Sequence, residues 1–207
     1  MRGADPAPAT IGRMPSFGTG VALIVNDIQN DFVDPGGGLP VAGAQSIVPA
    51  INRRILEARA AGSLVVYTQD RHPAVTPHFA KDGGTWPVHC VAGTWGAAFD
   101  PTLVVDGPTI GKGEDGEDGY SGFTMRDHAT GAAVPTALDG LLRTAGVRRI
   151  VVRGIATDYV VRATALDGRR LGYAVSLLTD AIVAVDVQPG DGRRAIAELS
   201  AAGVRIV

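Results

Sequence analysis

At 207 residues, with 45% hydrophobic and 19% charged side chains, the chain has the composition of one globular domain with a sizeable core. A net charge of −2 gives no electrostatic reason to bind nucleic acid or an anionic membrane, and apolar runs such as 21–25 and 150–152 are too short to span a bilayer. A single cysteine excludes an internal disulfide framework and fits a reducing, cytoplasmic setting.

Residues 1–18 are rich in Pro, Ala and Gly, lack the apolar core of a secretory signal, and read as a loosely ordered arm before a single domain over 19–207. The run over 21–25 predicts a fully buried parallel strand that hands the chain to Asp27. Pro35 and the glycines after it mark a loop. Ile47, Val48, Ile51, Ile55 and Leu56 then predict a helix over 44–61, closed by Gly62. A second strand over 63–68 delivers Asp70 and His72. The segment 73–101 has little periodicity and many Gly, Pro and His residues, and so long a loop inside a compact domain is usually functional.

Residues 103–105 and 108–110 predict short β pieces, the second running into Lys112. The acidic run 114–119 reads as a solvated loop, because it lacks the spacing and terminal ligand of a calcium-binding hand. A helix over 136–145, a strand over 149–153 and a turn at 154–156 follow. Thr157 or Asp158 can cap the next helix, which runs to about Leu171. A strand over 174–178, a helix over 191–202 and a strand over 204–207 complete the chain.

Alternating strands and helices with short connections predict an α/β fold, a parallel sheet covered on both faces. In such sheets ligands bind outside the carboxyl ends of the strands. Asp27, Asp70, His72, Lys112, Ala156 and Asp158 all fall just past a predicted strand, which points to one shared site. An Asp-x-His pair joined by a later His supplies oxygen and nitrogen donors for Zn, Fe or Mn rather than Ca or Mg. The spacing is equally that of a polar loop with surface histidines, and spacing alone leaves both readings open.

Taken together, the motifs resemble the isochorismatase-like hydrolase family, and within it the nicotinamidase (pyrazinamidase) branch. They are Asp27-Ile28-Gln29-Asn30-Asp31-Phe32, Asp70-x-His72-Pro73, His78-Phe79, Trp86-Pro87-x-His89-Cys90, Lys112-Gly113, Gly119-Tyr120-Ser121-Gly122-Phe123 and Gly154-Ile155-Ala156-Thr157-Asp158-Tyr159. The resemblance implies a three-layer Rossmann-like fold with a mostly parallel six-stranded sheet flanked by helices, assembled as a homodimer or larger homo-oligomer. It implies cleavage of an amide C–N bond in a small (hetero)aromatic substrate.

By the same resemblance, Asp27 would be the general base and Lys112 its cationic partner. One divalent metal ion (Zn, Fe or Mn) would sit on Asp70, His72 and His89, with His78 as an additional ligand or a supporting group. Phe32, Trp86 and Tyr120 would flank the substrate ring, with Ile155 and Tyr159 beside them. A cis Ile155–Ala156 peptide would help aim the N–H groups of Ala156 and Val160 at a developing oxyanion.

Val160 departs from the branch, which carries its nucleophilic cysteine there, on the first turn of a helix where a thiol pKa is lowered. Valine closes the acyl-enzyme route at this position, and Cys90, beside His89, reads as a small buried packing residue. Water activated by the metal and Asp27 would then replace the thiol. The alternatives are an enol-ether hydrolase using Asp27 and Lys112 without a metal, a ligand-binding protein that has lost turnover, or a nicotinamidase inactivated at position 160.

Overall fold

The computed structural model describes residues 16–207, so all but the last three residues of the expected N-terminal arm lie outside the described residues. In chain order, β1 (Val21–Asn26) is followed by a short turn of helix, α1 (Asn30–Val33), then by α2 (Ala44–Ala60) and β2 (Leu64–Asp70). After the long loop comes β3 (Thr109–Lys112), and β4 (Thr124–Arg126) and β5 (Ala133–Pro135) form a small antiparallel hairpin. Next are α3 (Leu138–Thr144), β6 (Arg149–Ile155), a π-helical turn (Thr157–Val161) and α4 (Arg162–Arg170). β7 (Ala174–Val183), α5 (Asp191–Ala201) and β8 (Arg205–Ile206) close the chain.

The main sheet has six strands, all parallel, in the order β3-β2-β1-β6-β7-β8. This is the α/β fold with a parallel sheet that the sequence predicts. Strand order reverses between β1 and β6, which opens a crevice at their carboxyl ends. β1 is buried along its whole length because the sheet is covered on both sides. Leu23 and Val25 belong to one core with Ile47, Val48, Ile51 and Ile55 of α2. Ala22 and Ile24 belong to the other, with Leu138, Leu142, Val161 and Leu199. Each large aliphatic side chain buried in this way stabilises the fold by about 1.5–3 kcal/mol. No described helix is long and apolar enough to cross a membrane.

Several local expectations are corrected. Residues 103–105 are not a strand: Asp100 caps a turn by accepting the N–H of Thr102, and the chain leaves the sheet there. Gly154 and Ile155, expected in a turn, are the last residues of β6. Gly154 has φ +114°, and a Cβ there would lie 2.2 Å from the Asn26 carbonyl oxygen, so only glycine lets β6 lie this close to the end of β1. The helix expected from Thr157 or Asp158 begins as a π turn with no side-chain cap. Asp158 instead accepts the backbone N–H groups of Val185 and Asp186, at 3.0 and 2.9 Å.

Candidate active site

Three neighbouring strands end in the charged residues of the site. Asp27 follows β1 in a left-handed conformation (φ 47°), an uncommon one for a residue with a side chain. Its carboxylate accepts Thr68 Oγ1–H at 2.5 Å and Lys112 Nζ–H at 2.8 Å. Lys112 ends β3 and also donates to Asp70, the last residue of β2. All three are buried, Asp27 and Lys112 almost completely. The amide of Gln29 fixes Asp70 further, donating to its carbonyl at 2.7 Å and accepting its N–H at 2.8 Å.

One ammonium between two carboxylates leaves an excess negative charge that burial opposes, and the two acids respond differently. Burial pushes the Asp27 carboxyl up to about 6, against the pull of Lys112 and with repulsion from Asp70. Burial acts on Asp70 as well, but Lys112, His72 and His89 outweigh it and hold that carboxyl down at about 2. The Lys112 ammonium, which burial alone would discharge, is raised by its two carboxylate partners and stays charged.

Beside Asp70, the possible ligand atoms of His72, His78 and His89 lie within 4.8 Å of one another. The His72 and His78 rings stack at 4.5 Å, and His89 lies 5.2 and 5.3 Å from them. His89 Nδ1 is 2.7 Å from the Pro87 carbonyl oxygen, and His78 Nδ1 is 2.9 Å from Asp118 Oδ1. His72 is 3% exposed, and neither of its ring nitrogens has a hydrogen-bond partner. Asp70 Oδ2 is 3.9 Å from its Nε2. Burial lowers His72 to about 4 and lowers His89 too, so both imidazoles are neutral with lone pairs available. The Asp118 carboxyl is held well below the usual range by its bond from His78, with help from Arg126.

An unpartnered polar group in the interior costs about 1–3 kcal/mol. Neutral imidazoles next to a carboxylate are the donor set of Zn, Fe or Mn, and a cation there would take up the idle lone pairs. The residues fit such an ion. His78 belongs to this cluster as closely as His72 and His89 do, while Asp70 divides its oxygens between Lys112 and the face towards His72. Gly113 makes room: it has φ +77°, and a Cβ there would lie 2.7 Å from His72 Nδ1.

Above the cluster lies a small cavity. Phe32, Asp70, His72, His78, Trp86, His89, Tyr120, Ile155, Ala156, Tyr159 and Val160 all line it, and the sequence singled out every one of them. Asp27 and Lys112 lie beneath this lining. Leu39, Val41, Gly119 and Val185 complete the wall. The sequence carried no signal for Leu39, Val41 and Val185, which come from segments without a motif. Trp86 donates its indole N–H to the Tyr120 hydroxyl at 3.1 Å, and the Tyr159 ring sits edge-on to both, at 5.0 and 5.1 Å. This makes one wall of three aromatic rings. The Ile155–Ala156 peptide is cis, and Val160 is on the π turn that follows.

Cys90 does not line the cavity. It is fully buried, its Sγ lies 3.9 Å from the Gly96 carbonyl oxygen, and burial followed by the nearby carboxylates drives its thiol far above the usual range. Its backbone N–H donates to Asp31 Oδ2 at 2.6 Å, while Asp31 Oδ1 accepts Gly38 N–H, so Asp31 ties the His89 loop to the loop after α1. Among the described residues lining the cavity there is no Ser, Thr or Cys.

Residues 21–207 match the isochorismatase domain. The chain is 36% identical over 203 residues to the nicotinamidase of Escherichia coli K12, covering 89% of this chain and 93% of that protein. The pyrazinamidase of Pyrococcus horikoshii, solved in complex with zinc, has a TM-score of 0.81 at 41% identity and covers 91% of this chain and 98% of its own. PnC1 from L. infantum, solved in complex with nicotinate, has a TM-score of 0.83 at 38% identity, with 91% and 92% covered. With the match spanning nearly all the described residues and the site at the sheet's crevice, this chain belongs to the isochorismatase family.

Proposed function

We propose that the chain is a metal-dependent hydrolase of the nicotinamidase type, cleaving the amide C–N bond of a small heteroaromatic amide. The observation that carries this reading is the continuous line from Asp27 through Lys112 and Asp70 to three clustered imidazoles, on the floor of a cavity with an aromatic wall. The likeness to a nicotinamidase, and to proteins solved with zinc and with nicotinate, supports it.

His72, His78, His89 and the free oxygen of Asp70 would hold the metal. When bound, it would supply Lewis acidity to a substrate or water lone pair. Trp86, Tyr120, Tyr159 and Phe32 would hold a planar ring and fix its orientation. Asp27, with a carboxyl near 6, is poised as a base at neutral pH. It would take a proton from water as the oxygen bonds to the amide carbon. The backbone N–H groups of Ala156, the extended residue before the π turn, and of Val160, within it, would stabilise the oxyanion. The C–N bond would then break as Asp27 returns the proton to the leaving nitrogen, giving a carboxylic acid and ammonia. Val160, at the position where the branch carries its thiol, would line the pocket without reacting.

A second reading is a ligand-binding protein without turnover. It is favoured by the lack of a hydroxyl or thiol nucleophile of Ser, Thr or Cys among the described residues lining the cavity, and by the complete burial of Asp27. Ammonia release from nicotinamide by zinc-, manganese- or iron-loaded protein, beside a Val160→Cys variant, separates the two. Turnover by the unaltered chain, lost on chelation, supports direct hydrolysis. Ammonia from the cysteine variant alone supports the binding protein.

A further inference from the structure

We propose that Asp118 is a positioning residue that fixes which nitrogen of His78 faces the imidazole cluster, and so sets the cluster's affinity for a divalent cation. The second half rests on the metal reading above. His78 Nδ1 lies 2.9 Å from Asp118 Oδ1. An ionised carboxylate only accepts, so Nδ1 carries the hydrogen and the lone pair is left on Nε2. His89 reaches the same state through the Pro87 carbonyl oxygen at 2.7 Å. Of the three imidazoles only His78 is held by a charged side chain, and this arrangement raises ligand basicity as well as fixing the ring.

Asp118 is itself held on every side. Oδ1 also accepts the Gly119 N–H at 2.8 Å, and Oδ2 accepts Arg126 Nη2–H at 2.9 Å. The backbones of Asp118 and Arg126 exchange two hydrogen bonds, of 2.9 and 2.5 Å. One member of an acidic run that reads as solvated loop is therefore turned inward and clamped to β4, with its side chain only 32% exposed. A residue that merely stapled the hairpin to the loop would need the arginine and the backbone pairing but not the imidazole.

The test pairs zinc competition against a chromophoric chelator with long-range proton–nitrogen spectra of the imidazoles in metal-free protein. In Asp118→Ala, zinc binding is expected to weaken about 10–100-fold, and His78 to become a mixture of tautomers. Asp118→Asn, whose amide oxygen still accepts, should restore the tautomer and recover part of the affinity. Arg126→Ala, which removes the staple but keeps the acceptor, should leave both readouts near those of the unaltered chain. Should the alanine variant not fold, Asp118→Ser serves the same purpose, with circular dichroism as the check. Unchanged zinc affinity, or a His78 tautomer that does not respond, overturns the proposal. An unaltered chain that takes up no zinc overturns the metal reading, and the tautomer spectra still decide what Asp118 does.

Discussion

Asp27, Asp70 and Lys112 reach the floor of the cavity from the ends of three adjacent strands, whereas Trp86, Tyr120 and Tyr159 reach its rim from two loops and a π turn. The floor is buried charge, set at the ends of paired strands and tied together by the bonds from Lys112 to Asp27 and Asp70. The rim is half-exposed aromatic surface, held by a single hydrogen bond and edge-on ring contacts. Charge placed on strand ends cannot move without disturbing the sheet, so in the proposed function the floor would set the chemistry. Rings on loops tolerate exchange, so the rim would set which ligand fits.

The sharpest way to break this contrast is to remove the cation from the floor. Lys112→Met leaves two buried carboxylates facing each other, and losing one partner of a buried ionic group costs about 3–5 kcal/mol. Urea denaturation should show that loss together with the loss of turnover. Asp27→Asn removes the proposed base while keeping the shape, and turnover should fall about 10²–10⁴-fold with the fold intact, the usual worth of a general base. A floor variant that loses activity but keeps its fold therefore separates chemistry from architecture within one cluster.

Acidity offers a gentler test. With Asp27 raised to about 6, kcat/KM should drop as pH falls through that value, because only the ionised carboxylate accepts a proton. In metal-free protein the same residue opposes stability at neutral pH. Its folded pKa lies above the ordinary carboxylate value of 3.8, so its contribution is full below that value and is lost as pH rises through about 6. Asp70, held at about 2, acts in the opposite sense: its contribution is present above 3.8 and is lost as pH falls towards 2. Melting temperature followed from pH 3 to 7 should lose the Asp27 component in Asp27→Asn. The smallest effect belongs to the rim: Tyr120→Phe removes the acceptor of the Trp86 indole, worth about 0.5–1.5 kcal/mol. It should raise KM for an aromatic amide while leaving kcat nearly unchanged.

What could be read from the sequence divides along the same line. The apolar run of β1 and the helical spacing of Ile47, Ile51 and Ile55 announce buried elements, because each pattern is local and repeats. The strand-end acids and histidines were legible because the end of a parallel strand is where such residues converge. The β4–β5 hairpin went unseen, since three-residue strands with mixed burial carry no alternation. Leu103 and Val104 are apolar without being strand, because they pack on the core under a loop. Asp118 looked like solvent-facing charge since its partner His78 lies 40 residues away. That Lys112 is buried, although glycines flank it, follows only once two distant carboxylates are seen to meet it.

The reversal of strand order between β1 and β6 has a further consequence for how the chain comes to exist. β1 pairs with β6 across most of the chain, and Asn26 and Arg153, whose side chain and carbonyl bond there, are 127 residues apart. A chain emerging from synthesis can pair β1 with β2 early, yet the other edge of β1 stays open until β6 has been made. That edge belongs to a strand with no charged side chain, the kind most prone to pair with another molecule. Chains cut short before residue 149 should therefore collect as aggregates rather than as a soluble half-domain, and the late arrival of β6 both closes the sheet and completes the crevice beside Asp27.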